Sequence, residues 1–134
     1  MTEFKYVTTN PAIEIYESST PIFAGILREL RELSRKKPDA TMSTGKVRIV
    51  NRVLNDVLVI LKDESVGKYL EILEDQSLPQ VSDAVLVMVQ FESALAFFYQ
   101  RYNRRDNFGG RYWNTEERVT TWDETSESSD GGQD

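Results

Sequence analysis

Three patterns in the sequence hold residue types that chemistry requires. The first is a set of carboxylate pairs, Glu14-x-x-Glu17, Glu29-x-x-Glu32 and Glu71-x-x-Glu74. Each puts two acids on one face of a helix, as a divalent metal would need. A helical magnesium site of the pyrophosphatase kind also needs a Glu-x-x-Asp pair on a facing helix, and no predicted helix carries one. Arg28 and Arg31 already interleave with Glu29 and Glu32. The second pattern is Ser43-Thr44-Gly45-Lys46, where backbone amides at a helix start could receive an anion. It lacks the first glycine of a phosphate-binding loop, since position 40 is Ala, and Val47 replaces the hydroxyl residue after the lysine. The third is a run of aromatics and arginines from Phe97 to Trp113. Guanidinium groups bind phosphate and rings stack on bases, so such interleaving suits single-stranded nucleic acid. The bland reading of the run is that the aromatics are core and the arginines serve a helix end or an acidic tail.

What is absent narrows the chemistry further. The chain of 134 residues has no His and no Cys. That removes thiolate and imidazole metal ligands, thiol nucleophiles and the imidazole general base. A serine activated by Lys46 or Lys68 would need a buried amine, and both lysines fall on predicted wet faces. The expectation is a non-catalytic protein with no cofactor and no metal.

The net charge of −6 is not spread evenly. Residues 1–113 carry 15 acids and 15 bases, and residues 114–134 carry seven acids against Arg118. Within the neutral part, 28–52 is basic, 63–92 acidic and 93–113 basic again. This leaves two candidate anion or nucleic-acid surfaces. Arg48 and Arg52 lie on one, and Arg101, Arg104, Arg105, Arg111, Tyr112 and Trp113 on the other.

The elements that must position these groups follow from apolar spacing. Ser18-Ser19-Thr20-Pro21 reads as a helix start, with a hydroxyl cap and proline in the first turn. Ile22, Phe23, Ile26, Leu27, Leu30 and Leu33 continue it to about Lys36. A second helix, capped by Ser43 or Thr44, follows the stripe Val47, Val50, Val53, Leu54, Val57, Leu58 and Leu61. Lys46, Arg48, Asn51, Arg52, Asn55 and Asp56 take its wet side, with Arg52 and Asp56 spaced as an i,i+4 pair. Val66–Glu74 predicts a shorter amphipathic helix. From a cap at Ser82 to Tyr102 or Arg105 runs the most apolar segment, read as one helix because Ala84–Val89 continues into Ala94–Tyr99. Gln90, Glu92 and Ser93 interrupt it, so a buried core helix is expected and no membrane span.

The fold class expected is therefore all-α. It is a small helical bundle of three long helices and one short, with room for a short terminal β element in 1–9 or 117–122. Residues 1–122 form a single helical domain and 123–134 a disordered acidic tail. With no leader pattern at residue 1 onward, a cytoplasmic location is the default. A bundle this small cannot easily bury a helix that is apolar all round. The expected function is thus a protein–protein interaction module: an adaptor, an inhibitor or immunity-type protein, or a subunit of a larger complex. Val85, Val89, Phe97, Phe98 and Tyr102 are its candidate interface, and a homo-oligomer or protein partner is expected. The alternative is a small helical nucleic-acid-binding regulator using 35–52 and 101–113.

Overall fold

The computed structural model describes residues 6–119. Its helices are α1 (Asn10–Lys36), α2 (Thr44–Leu61) and α3 (Val81–Tyr102), with a 3-10 helix at Ser65–Tyr69. A two-stranded antiparallel sheet follows, β1 (Asn103–Arg105) and β2 (Arg111–Trp113). The protein is mostly helical, as the spacing predicts. Ile15–Phe97 forms one compact unit, and the described residues before and after it form a second. The disordered tail expected at 123–134 lies outside the described residues, as do 120–122.

Helix α1 starts eleven residues before the predicted start at Pro21. Its cap is Thr9, whose hydroxyl accepts from the Ala12 amide at 3.3 Å, and Pro11 follows in the first turn. Pro21 sits inside the helix, where it removes one backbone donor. The Ser18 and Ser19 hydroxyls donate to the Ile15 carbonyl, which puts the polar cap-like phrase to use within the helix. Burial on both sides of the phrase, at Ile13 and Phe23, outweighs the local stop signal.

In the unit formed by Ile15–Phe97, α2 behaves as its stripe predicts. Ser43 is the cap, accepting from the Lys46 amide at 3.1 Å, and Val47, Val50, Val53, Leu54, Val57, Ile60 and Leu61 are buried. The segments before α2 and before α3 clip together. The Met42 amide donates to the Pro79 carbonyl and the Val81 amide to the Ala40 carbonyl, both at 2.8 Å. The predicted helix over 66–74 is instead a five-residue 3-10 helix, an extended Leu70 and then chain without regular secondary structure. Two contacts decide this. A Cβ at Gly67 would lie 2.5 Å from the Lys62 carbonyl oxygen, so the turn packs directly on the end of α2. Asn51, predicted to face water, is half-buried. Its amide donates to the Leu73 carbonyl at 2.9 Å and its oxygen accepts from the Leu73 amide at 2.8 Å. That pairing satisfies both backbone groups of Leu73, which a helix there would have used itself.

Gln80 rather than Ser82 precedes α3, and the Asp83 carboxylate accepts from the Gln80 amide at 3.2 Å. Val81, Ala84, Met88, Phe91, Ala94, Leu95, Phe98 and Tyr102 make its buried stripe. By length and a mean hydropathy of 1.6 alone this helix would pass for a membrane span. Ser93, Ala96 and Gln100 stand on its exposed side with Leu86.

In the second unit, Asn114 is the hub. It donates from its backbone to the Tyr102 carbonyl at 2.7 Å and from its side chain to the Tyr6 carbonyl at 2.8 Å. Thr8 and Thr115 form a parallel bridge, and a helical turn over 116–119 follows, capped by the Thr115 hydroxyl. The first turn of α1 holds no acid of its own, and the Glu117 carboxylate accepts from its Asn10 amide at 3.1 Å.

Candidate functional site

The carboxylate pairs do not converge. Glu29 and Glu32 face solvent, and Glu32 is engaged by Arg35 at 3.0 Å. Glu71 and Glu74 are exposed on chain without regular secondary structure rather than on one helical face. Among the described residues, no three acids gather where they could hold a metal ion.

Of the two basic surfaces, the first lies on α2. Arg48 and Arg52 are exposed and border a cleft of about 370 Å³ with Thr44, Asn55, Ile72 and Asp75. The Arg52–Asp56 pair expected from the i,i+4 spacing is not made.

The second surface is largely turned on itself. The Arg101 guanidinium lies 3.9 Å from the centre of the Tyr6 ring, and that of Arg118 lies 3.9 Å from the Tyr112 ring. Arg111 donates through Nε to the Asn103 side chain at 2.7 Å and sits over the Tyr99 ring at 5.3 Å. Trp113 packs edge-on to Tyr99 at 5.6 Å and beside Phe98 at 6.1 Å. Arg104 is half-buried, and its Nε has no hydrogen-bond partner. Of the rings that would stack on bases, Tyr112 already lies under an arginine of the same chain and Trp113 packs on Tyr99 and Phe98. Arg105 is exposed at the strand end and makes no ion pair or ring contact among the described residues.

The proposed interface residues on α3 separate into two groups. Phe98 and Tyr102 are buried, their ring centres 4.8 Å apart, and cannot meet a partner without opening the fold. Val85, Val89 and Phe97 are half-buried, and Leu86 beside them is 64% exposed.

Two features escaped the sequence reading. One is an apolar strip where α1 and α2 adjoin. Ile22 and Ile49 are 59% and 54% exposed, and both line one cleft with Ile26 and Val53. Ile26 and Ile49 continue into a groove of about 380 Å³ bordered by Gly25, Leu30, Leu33 and Val50, with Glu29 and Lys46 at its edges. The available signal was that Ile49 stands next to the stripe residue Val50 instead of in phase with it, whereas Ile22 reads as part of the α1 stripe and is exposed all the same. The other is the turn between β1 and β2, where Phe108 is 97% exposed.

That turn is fixed by its own residues. The Asp106 carboxylate accepts from the Phe108 and Gly110 amides, both at 2.8 Å, and the Asp106 amide donates to the Gly110 carbonyl at 2.8 Å. Gly109 has φ +84°, a conformation side-chain-bearing residues rarely adopt. A Cβ at Gly110 would meet the Asp106 carboxylate at 2.8 Å. The phenyl ring therefore projects from a braced turn.

Compared with known proteins, the chain matches no family model, no curated protein and no solved structure.

Proposed function

We propose that this chain is a non-catalytic protein–protein interaction module that docks its partner on the α1–α2 strip. The observation that carries this is the pair Ile22 and Ile49, each more than half exposed on adjoining helices and sharing one cleft. Isolated apolar residues on a surface need no explanation, but contiguous ones beside a groove mark a contact surface. The docking face thus moves from α3, where Phe98 and Tyr102 are spent on the core, to the seam between the first two helices. Adaptor, inhibitor and complex subunit all remain within this reading.

A photo-cross-linking residue placed at position 49 tests it, with position 55 on another face of α2 as the control. The expected result in native extract is a discrete protein adduct at 49, absent at 55 and lost in an Ile22→Asp background. No protein adduct at 49 would overturn the proposal. Adducts to nucleic acid from positions 48 and 52 would favour the regulator alternative.

A further inference from the structure

The braced turn and the apolar groove are complementary to one another, and one chain carries both. We infer that the partner of the α1–α2 groove is a second copy of this chain, whose Phe108 ring inserts between Ile26, Leu33 and Ile49. This rests on the docking reading above and names its occupant. Phe108 is 97% exposed, so its ring is available to a second molecule. The groove has about 380 Å³, apolar walls and room for a single ring. Its floor is open at Gly25, where a Cβ would meet only the Arg28 side chain, at 3.8 Å.

Charge supports the same occupant. Arg105 and Arg111 face each other across the two strands, a like-charge pairing that costs stability in isolation. Arg111 turns back to Asn103, and Arg105 is exposed at the end of β1, where the chain enters the turn that carries Phe108. On the α1 wall of the groove, Glu29 is exposed and makes no ion pair among the described residues. Seating the ring with Arg105 on the α1 side brings the exposed cation of the turn to Glu29 and keeps it across the groove from Lys46. Because the turn is held by hydrogen bonds before binding, little ordering is lost when the ring docks, and anchors of this kind dominate interface energies.

Sedimentation velocity of the full-length chain across the micromolar range is the test. The wild type associates. Phe108→Asp removes the plug and Gly25→Leu fills the socket, and each is expected to weaken association at least about tenfold. Both sites tolerate the change structurally, and unchanged far-UV circular dichroism of each variant verifies it. The deciding measurement is the mixture. Phe108→Asp retains a socket and Gly25→Leu retains a plug, so together they form a one-to-one heterodimer that neither forms alone. A wild type that stays monomeric, a Phe108→Asp variant that associates normally, or a mixture that stays monomeric each overturns the inference. If position 49 still cross-links a different protein in those cases, the docking reading stands without this occupant.

Discussion

Replacing Asn51 by Ala would remove a clamp of two hydrogen bonds, at 2.8 and 2.9 Å, that fastens the chain at Leu73 to α2. Each bond of this kind contributes about 1 kcal/mol net, and a buried backbone group left without a partner costs about 1–3 kcal/mol. The Leu73 side chain is nearly fully buried, while Asn51 itself is half-buried, so water can reach part of the vacated site. The expected loss is about 2–3 kcal/mol. For a chain of this size that lowers the melting temperature by roughly 6–12 °C. Asn51→Asp is the sharper variant. Its carboxylate still accepts from the Leu73 amide but sets an oxygen against the Leu73 carbonyl, so Asp should be at least as damaging as Ala despite its matching shape. Urea unfolding followed by circular dichroism gives the free energy, and amide hydrogen exchange at Leu73 localises it. A loss below about 0.5 kcal/mol for Ala, within the range of ordinary surface substitutions, would refute the reasoning. So would an Asp variant as stable as the wild type.

Further expectations follow from the same contacts. Gly67→Ala forces a Cβ into the Leu61 and Lys62 carbonyls, and chemical denaturation should show a loss of about 1–3 kcal/mol. Gly109→Ala places a side chain at φ +84° and should cost about 1–2 kcal/mol, read as faster exchange of the Phe108 and Gly110 amides with α2 unaffected. At protein concentrations below the association range, Phe108→Ser should leave unfolding free energy within about 0.5 kcal/mol of wild type, because the ring is 97% exposed. If nucleic acid were the ligand, affinity would fall with salt at a log–log slope near −0.7 per phosphate contacted on single strands. No retention on a polynucleotide column at physiological salt is the expected result.

What could be read from the sequence was whatever neighbouring residues decide among themselves. Ser43 reaches only to Lys46, and the stripe from Val47 to Leu61 needs no distant partner to be recognised. The misread elements are those settled by residues far apart in the chain. The chain beyond the 3-10 helix does not form the predicted helix because Asn51, 22 positions earlier than Leu73, takes up both Leu73 backbone groups. Helix α1 passes through Ser18-Ser19-Thr20-Pro21 because burial at Ile13 and Phe23 outweighs a cap signal four residues long. The site was less legible than the fold. Ile49 is an apolar residue one step out of phase, and only the placement of α1 beside it turns that into a strip. Arg101, Arg111 and Trp113 looked like a ligand surface because spacing does not reveal that they stack on Tyr6, Tyr99 and Phe98.

The bridge between Thr8 and Thr115 also orders events at the ribosome. Thr8 emerges early, but the Thr115 it bridges to and the Glu117 carboxylate that accepts from the Asn10 amide are made more than a hundred residues later. Closing a flexible loop of that length costs on the order of 4 kcal/mol in chain entropy before any contact repays it. All of Ile15–Phe97 leaves the ribosome before this junction can close, so the start of α1 spends most of translation without its anionic cap. A nascent chain stalled before residue 115 should therefore be cut by protease between Tyr6 and Ile13, and one released past Glu117 should resist there.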